Sequence, residues 1–96
     1  MIEAAGCRPD DLVEINPIYL FRWEEPQQAY VLLYPEGIVK LNETAAEILK
    51  LCSGDKTVEQ MIGELGRRFV GGDEIAEGVY RFLEVARGKG WIRIKP

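Results

Sequence analysis

Histidine is absent from this chain of 96 residues, which removes the commonest side chain for general acid–base catalysis and metal ligation. Only two cysteines occur, Cys7 and Cys52, and neither belongs to a Cys-x-x-Cys pair, so a zinc site is not expected. Gly71 and Gly72 precede a predicted helix, but no Lys-Ser/Thr follows them as in a phosphate-binding loop. These absences predict a protein that is not an enzyme and holds no metal or cofactor.

Long apolar runs are missing as well, since no stretch approaches the roughly 18 residues that a membrane helix needs. The 12 Lys and Arg side chains against 16 Asp and Glu give a net charge of −4. That balance argues against the phosphates of nucleic acid or of a membrane surface as partners. Residues 1–11 are acidic rather than basic, unlike a signal peptide. We therefore expect a cytoplasmic, single-domain protein whose cysteines stay reduced.

The first half of the chain has the pattern of strands. We expect residues 1–12 to form a flexible N-terminal tail, because they are turn-like and lack a sustained hydrophobic period. Residues 13–96 should form one winged-helix-like domain. Aromatic and β-branched residues then predict three strands joined by short turns, the second turn being Pro-Glu-Gly. The predicted antiparallel strands cover residues 18–23, 30–34 and 38–41.

The second half has the capping signals of three helices. Asn42 is the predicted N-cap of a first helix that ends at residues 53–55. Thr57 opens a capping box for a second helix, whose apolar stripe runs to Phe69, and Asp73 caps a third. Residues 91–94 predict a last short strand. The fold class is thus α+β and winged helix-turn-helix-like: a three-stranded antiparallel sheet, a three-helix bundle and a short terminal strand.

Two functions follow from these elements. A winged helix often binds DNA through its third helix, but here that helix mixes acidic and basic residues on its outer face, Glu74, Glu77, Glu84, Arg81 and Arg87. Such mixed charge disfavours binding to phosphates, so a DNA-binding regulator is kept only as the alternative function. The favoured function is peptide binding, because a three-stranded sheet has edges that an extended peptide can join.

The third strand, residues 38–41, is the better candidate for that edge. Lys40 on it has a second interpretation of equal weight, namely protection of the edge against unwanted pairing. The aromatic side chains Tyr19, Phe21 and Trp23 lie on one face of the first strand, and we predict that they belong to the core rather than to a ligand platform.

A family resemblance is carried by two segments of the sequence: Leu-Leu-Tyr-Pro-Glu-Gly at residues 32–37 and Val-Lys-Leu-Asn at residues 39–42. The chain resembles the PqqD family, pyrroloquinoline quinone (PQQ) biosynthesis protein D. The likeness extends from about Val13 to Ile94 and includes Ala45, Ala46, Ile48 and Leu49, then residues 52–58, 82–86 and 90–92.

The resemblance implies a peptide chaperone without catalytic activity, a winged-helix recognition element for ribosomally made precursor peptides. It implies two partners: the precursor peptide PqqA, and the radical S-adenosylmethionine enzyme PqqE, which cross-links a Glu and a Tyr of that peptide. The peptide would add to the third strand and lie beside the third helix. A free edge and short links also allow a homodimer by strand or segment exchange. Carried onto this chain by position, the implied peptide-binding residues are Ile38, Val39, Lys40, Leu41, Tyr80, Arg81, Glu84 and Arg87.

Overall fold

The computed structural model describes residues 6–95, which fold into six strands and three helices. The chain is α+β, as predicted. Its strands form two three-stranded antiparallel sheets instead of the single meander and isolated terminal strand that the sequence indicates. The elements in chain order are β1 (Leu12–Ile15), β2 (Leu20–Glu24), β3 (Ala29–Tyr34), β4 (Gly37–Lys40), α1 (Glu43–Leu49), β5 (Ser53–Thr57), α2 (Val58–Arg68), α3 (Asp73–Gly88) and β6 (Ile92–Ile94).

The predicted meander is confirmed as the sheet β2-β3-β4, with β3 in the centre. Leu32 of β3 lies opposite Phe21 on one side and Val39 on the other. This row belongs to the inner face, because Leu32 is part of the core cluster and Phe21 and Val39 pack against that cluster. Side chains one position along each strand point to the opposite, outer face.

The second sheet, in the order β5-β1-β6, corrects two predictions. Leu12–Ile15 is a strand although no periodicity marked it, and its Val13 is fully buried. Residues 53–55 do not end a helix; they begin β5, whose sequence Ser-Gly-Asp-Lys-Thr is polar and so gives no hydropathy signal. Residues 1–5 of the predicted tail lie outside the described residues.

The helix starts follow the predicted caps with one exception. The N–H of Ala45 donates to the Asn42 side chain at 2.8 Å, and Thr57 and Gln60 form the complete capping box. Asp73 is the first residue of α3 rather than its cap. The N-cap is Gly72 with φ +54°, a left-handed conformation that favours glycine.

The core lies between the helices and the inner faces of both sheets. Fully or almost fully buried side chains from every layer meet in one cluster that includes Val13, Leu32, Met61 and Leu83. Phe69, predicted to extend the α2 stripe into the core, instead follows the end of α2 and is 45% exposed. Within residues 6–95 no helix is long and apolar enough to cross a bilayer.

Candidate peptide-binding site

Strand β4 forms one edge of the meander. It pairs with β3, and within residues 6–95 no other strand joins it. The terminal strand β6, which could have covered this edge, pairs with β1 in the other sheet. The described part of the chain therefore leaves the outer side of β4 open to a further strand.

One hydrogen bond shows which backbone groups of β4 face that open side. The N–H of Leu41 donates to the carbonyl oxygen of Tyr30 at 3.0 Å. In an antiparallel pair the hydrogen-bonded positions alternate, so Val39, two residues earlier, also directs its backbone groups toward β3. Ile38 and Lys40 consequently direct their N–H and C=O groups away from the sheet.

The four predicted peptide-binding residues at the β4 edge fall into two pairs that differ in the exposure of their side chains. Ile38 is 45% exposed and Lys40 is exposed, whereas Val39 packs against the core and Leu41 is buried. The residues whose backbone faces the open edge are thus also those whose side chains reach solvent. Val39 and Leu41 hold the strand in place from the inner face.

The outer face beside this edge is partly apolar. Leu33 lies opposite Leu20 and Ile38, and Leu20 is 55% exposed. The next row carries a cation on each outer strand, since Val31 lies opposite Arg22 and Lys40. A peptide strand added to β4 would place alternate side chains next to these two rows.

The predicted α3 residues lie elsewhere on the surface. Tyr80, Arg81 and Glu84 line a shallow depression together with Gly6 and Cys7. None of the β4 residues lines that depression. The structure therefore brings three predicted α3 residues together with the segment before β1, a contact that the sequence did not indicate.

Arg87 also lies near this depression, because its positive charge acts on the Cys7 thiol. Burial raises the pKa of the Cys7 thiol, and the cation of Arg87 opposes that rise. Burial also raises the pKa of Tyr80, and the nearby Glu59 carboxylate adds to the effect. Both groups are accordingly protonated at neutral pH, so this depression offers hydrogen-bond donors rather than a reactive thiolate.

The aromatic side chains of the meander form a chain of ring contacts on the inner face. Tyr30 stacks on Phe21 at 5.1 Å between ring centroids and meets Trp23 edge-on at 5.3 Å. Tyr19 and Phe21 pack against the core, which confirms their predicted role. Trp23 is 43% exposed and donates its indole N–H to Glu25 at 2.8 Å. Its predicted place in the core is therefore wrong, and it lies at the rim of this face.

A cavity of about 330 Å³ opens between α1, α2 and α3; we call it the interhelical cavity. Its floor is made by the buried side chains Ile48, Leu65 and Val79. Three acidic residues, Glu43, Glu47 and Glu74, are also among its lining residues. Sequence reasoning missed this site, because it depends on how three helices pack rather than on any one motif.

Within residues 6–95, no three or more Cys, Asp or Glu side chains are placed together so that they could hold a metal ion. Cys7 and Cys52 are free thiols.

Comparisons with known proteins agree on one family. Residues 29–92 match the family described as Coenzyme PQQ synthesis protein D (PqqD). A protein of Methylococcus capsulatus named PqqA binding protein is 45% identical over 92% of this chain and 94% of its own length. A protein of the same name from Azotobacter vinelandii is 44% identical over 88% of this chain and 92% of its own length.

Two solved structures resemble the fold. The solution structure of the PqqD truncation of Methylobacterium extorquens PqqCD has a TM-score of 0.75 and 25% identity, with coverage of 92% of this chain and 95% of that one. It is described as a stand-alone recognition element for ribosomally synthesised and post-translationally modified peptides (RiPPs). The heterocyclase TruD matches in fold alone, with a TM-score of 0.69 at 21% identity over 88% of this chain and 12% of TruD. Because the family match covers more than half of its residues and the identity extends over nearly all of its length, the chain belongs to the PqqD family.

Proposed function

We propose that this chain is a non-catalytic peptide chaperone of PQQ biosynthesis, which binds the precursor peptide PqqA and presents it to the radical S-adenosylmethionine enzyme PqqE for Glu–Tyr cross-linking. It works in the cytoplasm, with no nucleic acid or membrane as partner. The relatives named PqqA binding protein, at 44–45% identity over most of both chains, support the peptide as ligand. The similarity to the RiPP recognition element of PqqCD supports the docking role.

The open edge of β4 is the observation that carries this proposal. Ile38 and Lys40 offer outward backbone groups beside exposed side chains. A peptide strand that pairs there forms main-chain hydrogen bonds for affinity, and its side chains meet the Leu20–Leu33–Ile38 row for specificity. Val39 and Leu41 contribute by holding β4 on the core.

The outward residues of α3 provide the second peptide contact in this proposal. Tyr80 and Arg81 offer a phenol and a guanidinium, and Glu84 adds a carboxylate at the same depression. Arg87 lies beside them, within electrostatic reach of Cys7. The domain of residues 13–96 would thus hold two separate segments of one extended peptide.

The physical task of such a chaperone is to order a flexible ligand. An unstructured peptide loses conformational entropy when it is held extended, and the main-chain bonds and buried side chains offset that loss. Attachment to PqqE by another surface would raise the effective concentration of the peptide at the active site. The chemistry would then belong entirely to PqqE.

A homodimer is part of the proposal because the same open edge of β4 can pair with a second copy of this chain. Such a dimer would compete with the peptide. Sedimentation of the protein with and without PqqA is expected to show a dimer that dissociates as the peptide binds; a monomer at every concentration would refute the dimer.

The experiment that tests the proposal is an NMR titration of isotope-labelled protein with synthetic PqqA. We expect the amide signals of Ile38 and Lys40 to shift most within β4, because their N–H groups receive the new hydrogen bonds, with further shifts from residue 80 to 87. Shifts confined to the surroundings of Arg67 and Arg68 would refute the assignment of the site.

A further inference from the structure

The central strand of the meander is apolar on the outer face as well as on the inner one. In an antiparallel sheet with one solvated face, polar residues normally alternate with apolar ones. Strand β3 does not alternate, because its outward residues Ala29, Val31 and Leu33 are as apolar as its inward Leu32. None of these three outward residues belongs to the core cluster. The pattern of β3 is therefore that of a strand whose sheet is covered on both faces.

The large apolar side chains of the outer face form one row across all three strands. Leu33 lies opposite Leu20 of β2 and Ile38 of β4. Leu20 is 55% exposed and Ile38 is 45% exposed, while Leu33 is half-buried between them. An exposed apolar row with charged neighbours is typical of a surface that another protein covers.

The charged neighbours of this row are mainly cations. Arg22 and Lys40 lie on either side of Val31 in the adjacent row. The Nη2 atom of Arg22 is 3.7 Å from Oε1 of Glu24, whereas Lys40 forms no ion pair within residues 6–95. The outer face is thus positive on a chain whose net charge is −4. A second copy would bring the same cations against it, so charge complementarity favours a partner that carries carboxylates.

A peptide paired with β4 would extend this outer face by one strand. The side chains of a strand alternate between the two faces of its sheet. A peptide strand beside Ile38 and Lys40 therefore turns every second side chain to the outer face, next to the row of Leu20, Leu33 and Ile38. A protein that covers the outer face would touch these peptide side chains directly.

We propose that the outer face of the meander docks the enzyme that modifies the bound peptide, through an apolar patch of that enzyme bordered by Asp or Glu. The inference rests on the proposed function, in which the enzyme is PqqE. Leu20 and Leu33 pack against the apolar patch, and Arg22 and Lys40 pair with the carboxylates at its border. The peptide strand then lies at the margin of this interface, beside the enzyme that receives it.

An apolar residue of β2 provides the first test, because β2 lies two strand spacings, about 10 Å, from β4. Leu20→Glu should weaken the binding of PqqE, measured calorimetrically without PqqA, by at least about tenfold, since a repelling carboxylate replaces an apolar contact. Val70→Glu is the matched control, because Val70 is a fully exposed apolar residue outside the meander. It should bind PqqE like the unchanged protein. Equal affinity of the two variants would overturn the inference.

Charge reversal on the same strand is the second test. Arg22→Glu should weaken PqqE binding by about threefold or more and make it less sensitive to salt, because an attractive charge becomes repulsive. Arg67→Glu makes the same change at an exposed cation of α2 and should do neither. Tighter binding of PqqE by Arg22→Glu would show that the partner is basic at this place, which overturns the inference. An amide spectrum of each variant confirms that it is folded; if Leu20→Glu is not, Arg22→Glu decides.

Further outcomes separate the docking surface from the proposed function. If the unchanged protein binds PqqA but not PqqE, the presentation step of the proposed function is wrong, and the docking surface with it. If PqqE binds all four variants equally well, the docking surface alone is wrong. A loss of PqqE binding by Leu20→Glu only when PqqA is present would show that the row serves the peptide. A change in its sedimentation without a change in PqqE affinity would show that the row serves a second copy. Either result overturns the inference.

Discussion

The backbone N–H of Leu41 donates to the carbonyl oxygen of Tyr30 at 3.0 Å. This bond sets the alternation along β4, so that Val39 bonds toward β3 while Ile38 and Lys40 face the open edge. The open edge of the meander therefore presents the backbone groups of particular residues to a peptide. Its outward N–H groups belong to Ile38 and Lys40, and proline at either position removes that N–H without deleting a donor that bonds to β3.

Proline at Ile38 should block the peptide without unfolding the sheet. Ile38→Pro deletes an outward N–H, and edge strands tolerate proline where the N–H faces solvent. We expect PqqA binding to weaken by about 1–3 kcal/mol, because a peptide carbonyl loses its donor. Calorimetric titration measures the loss.

Two further variants serve as controls for Ile38→Pro. Ile38→Ala removes the side chain and keeps the N–H, so it separates the apolar contact from the hydrogen bond. Val39→Pro removes a group that bonds toward β3 and should lower the melting temperature. If Ile38→Pro binds PqqA as tightly as Ile38→Ala does, strand addition at β4 is excluded.

The α3 surface makes a separate prediction. Arg81→Glu should weaken PqqA binding by about 1 kcal/mol, since a solvated charge contact of this kind is worth little more. Arg67→Glu on α2 is the matched control, an exposed cation outside the proposed site. Equal binding by both variants, measured at low salt where surface charges act most strongly, would remove Arg81 from the site.

The two cysteines should differ in reactivity. Burial raises the pKa of Cys52 to about 12, and its thiol donates to the carbonyl oxygen of Ile48 at 3.4 Å. The Cys52 thiol therefore stays protonated at about pH 8. Iodoacetamide should therefore modify Cys7 first, and Cys52 only after urea unfolds the chain. The modification is followed by mass spectrometry. If Cys52 of the native protein were modified as fast as in urea, its buried placement would be contradicted.

Strand β1 should matter for stability. Val13 is 0% exposed and lies in the central strand of the second sheet, so Val13→Ala should cost about 2 kcal/mol of the free energy of unfolding. Val70→Ala offers the matched control, because that valine is fully exposed, and it should change little. Urea unfolding of the two variants measures the difference; equal midpoints would show that β1 does not contribute to the core.

The elements that sequence reasoning found are those with strong local signals. The Pro-Glu-Gly turn, the Asn42 cap and the Thr57–Gln60 capping box each act within four residues, and each is present. Strand β5 was missed because its polar residues are ordered by pairing with β1, a partner far away in the sequence. Local patterns do not carry such pairings.

The parts of the candidate site also differ in whether local sequence signals or long-range packing create them. The sequence made the third strand the better candidate edge, but the strand order of the structure shows that β6 pairs with β1 and leaves β4 uncovered within the described residues. The depression beside Tyr80 depends on Cys7, and the interhelical cavity depends on three helices that meet in space. Long-range packing creates both, so only the structure could reveal them.

The central claim is that this chain binds the precursor peptide at the β4 edge, and calorimetric titration of the unchanged protein with synthetic PqqA tests it most directly. We predict saturable binding, one peptide per chain, at moderate salt, with duplex DNA binding weakly at best under the same conditions. Absence of heat with PqqA, or tight and salt-sensitive binding to DNA instead, would contradict the account.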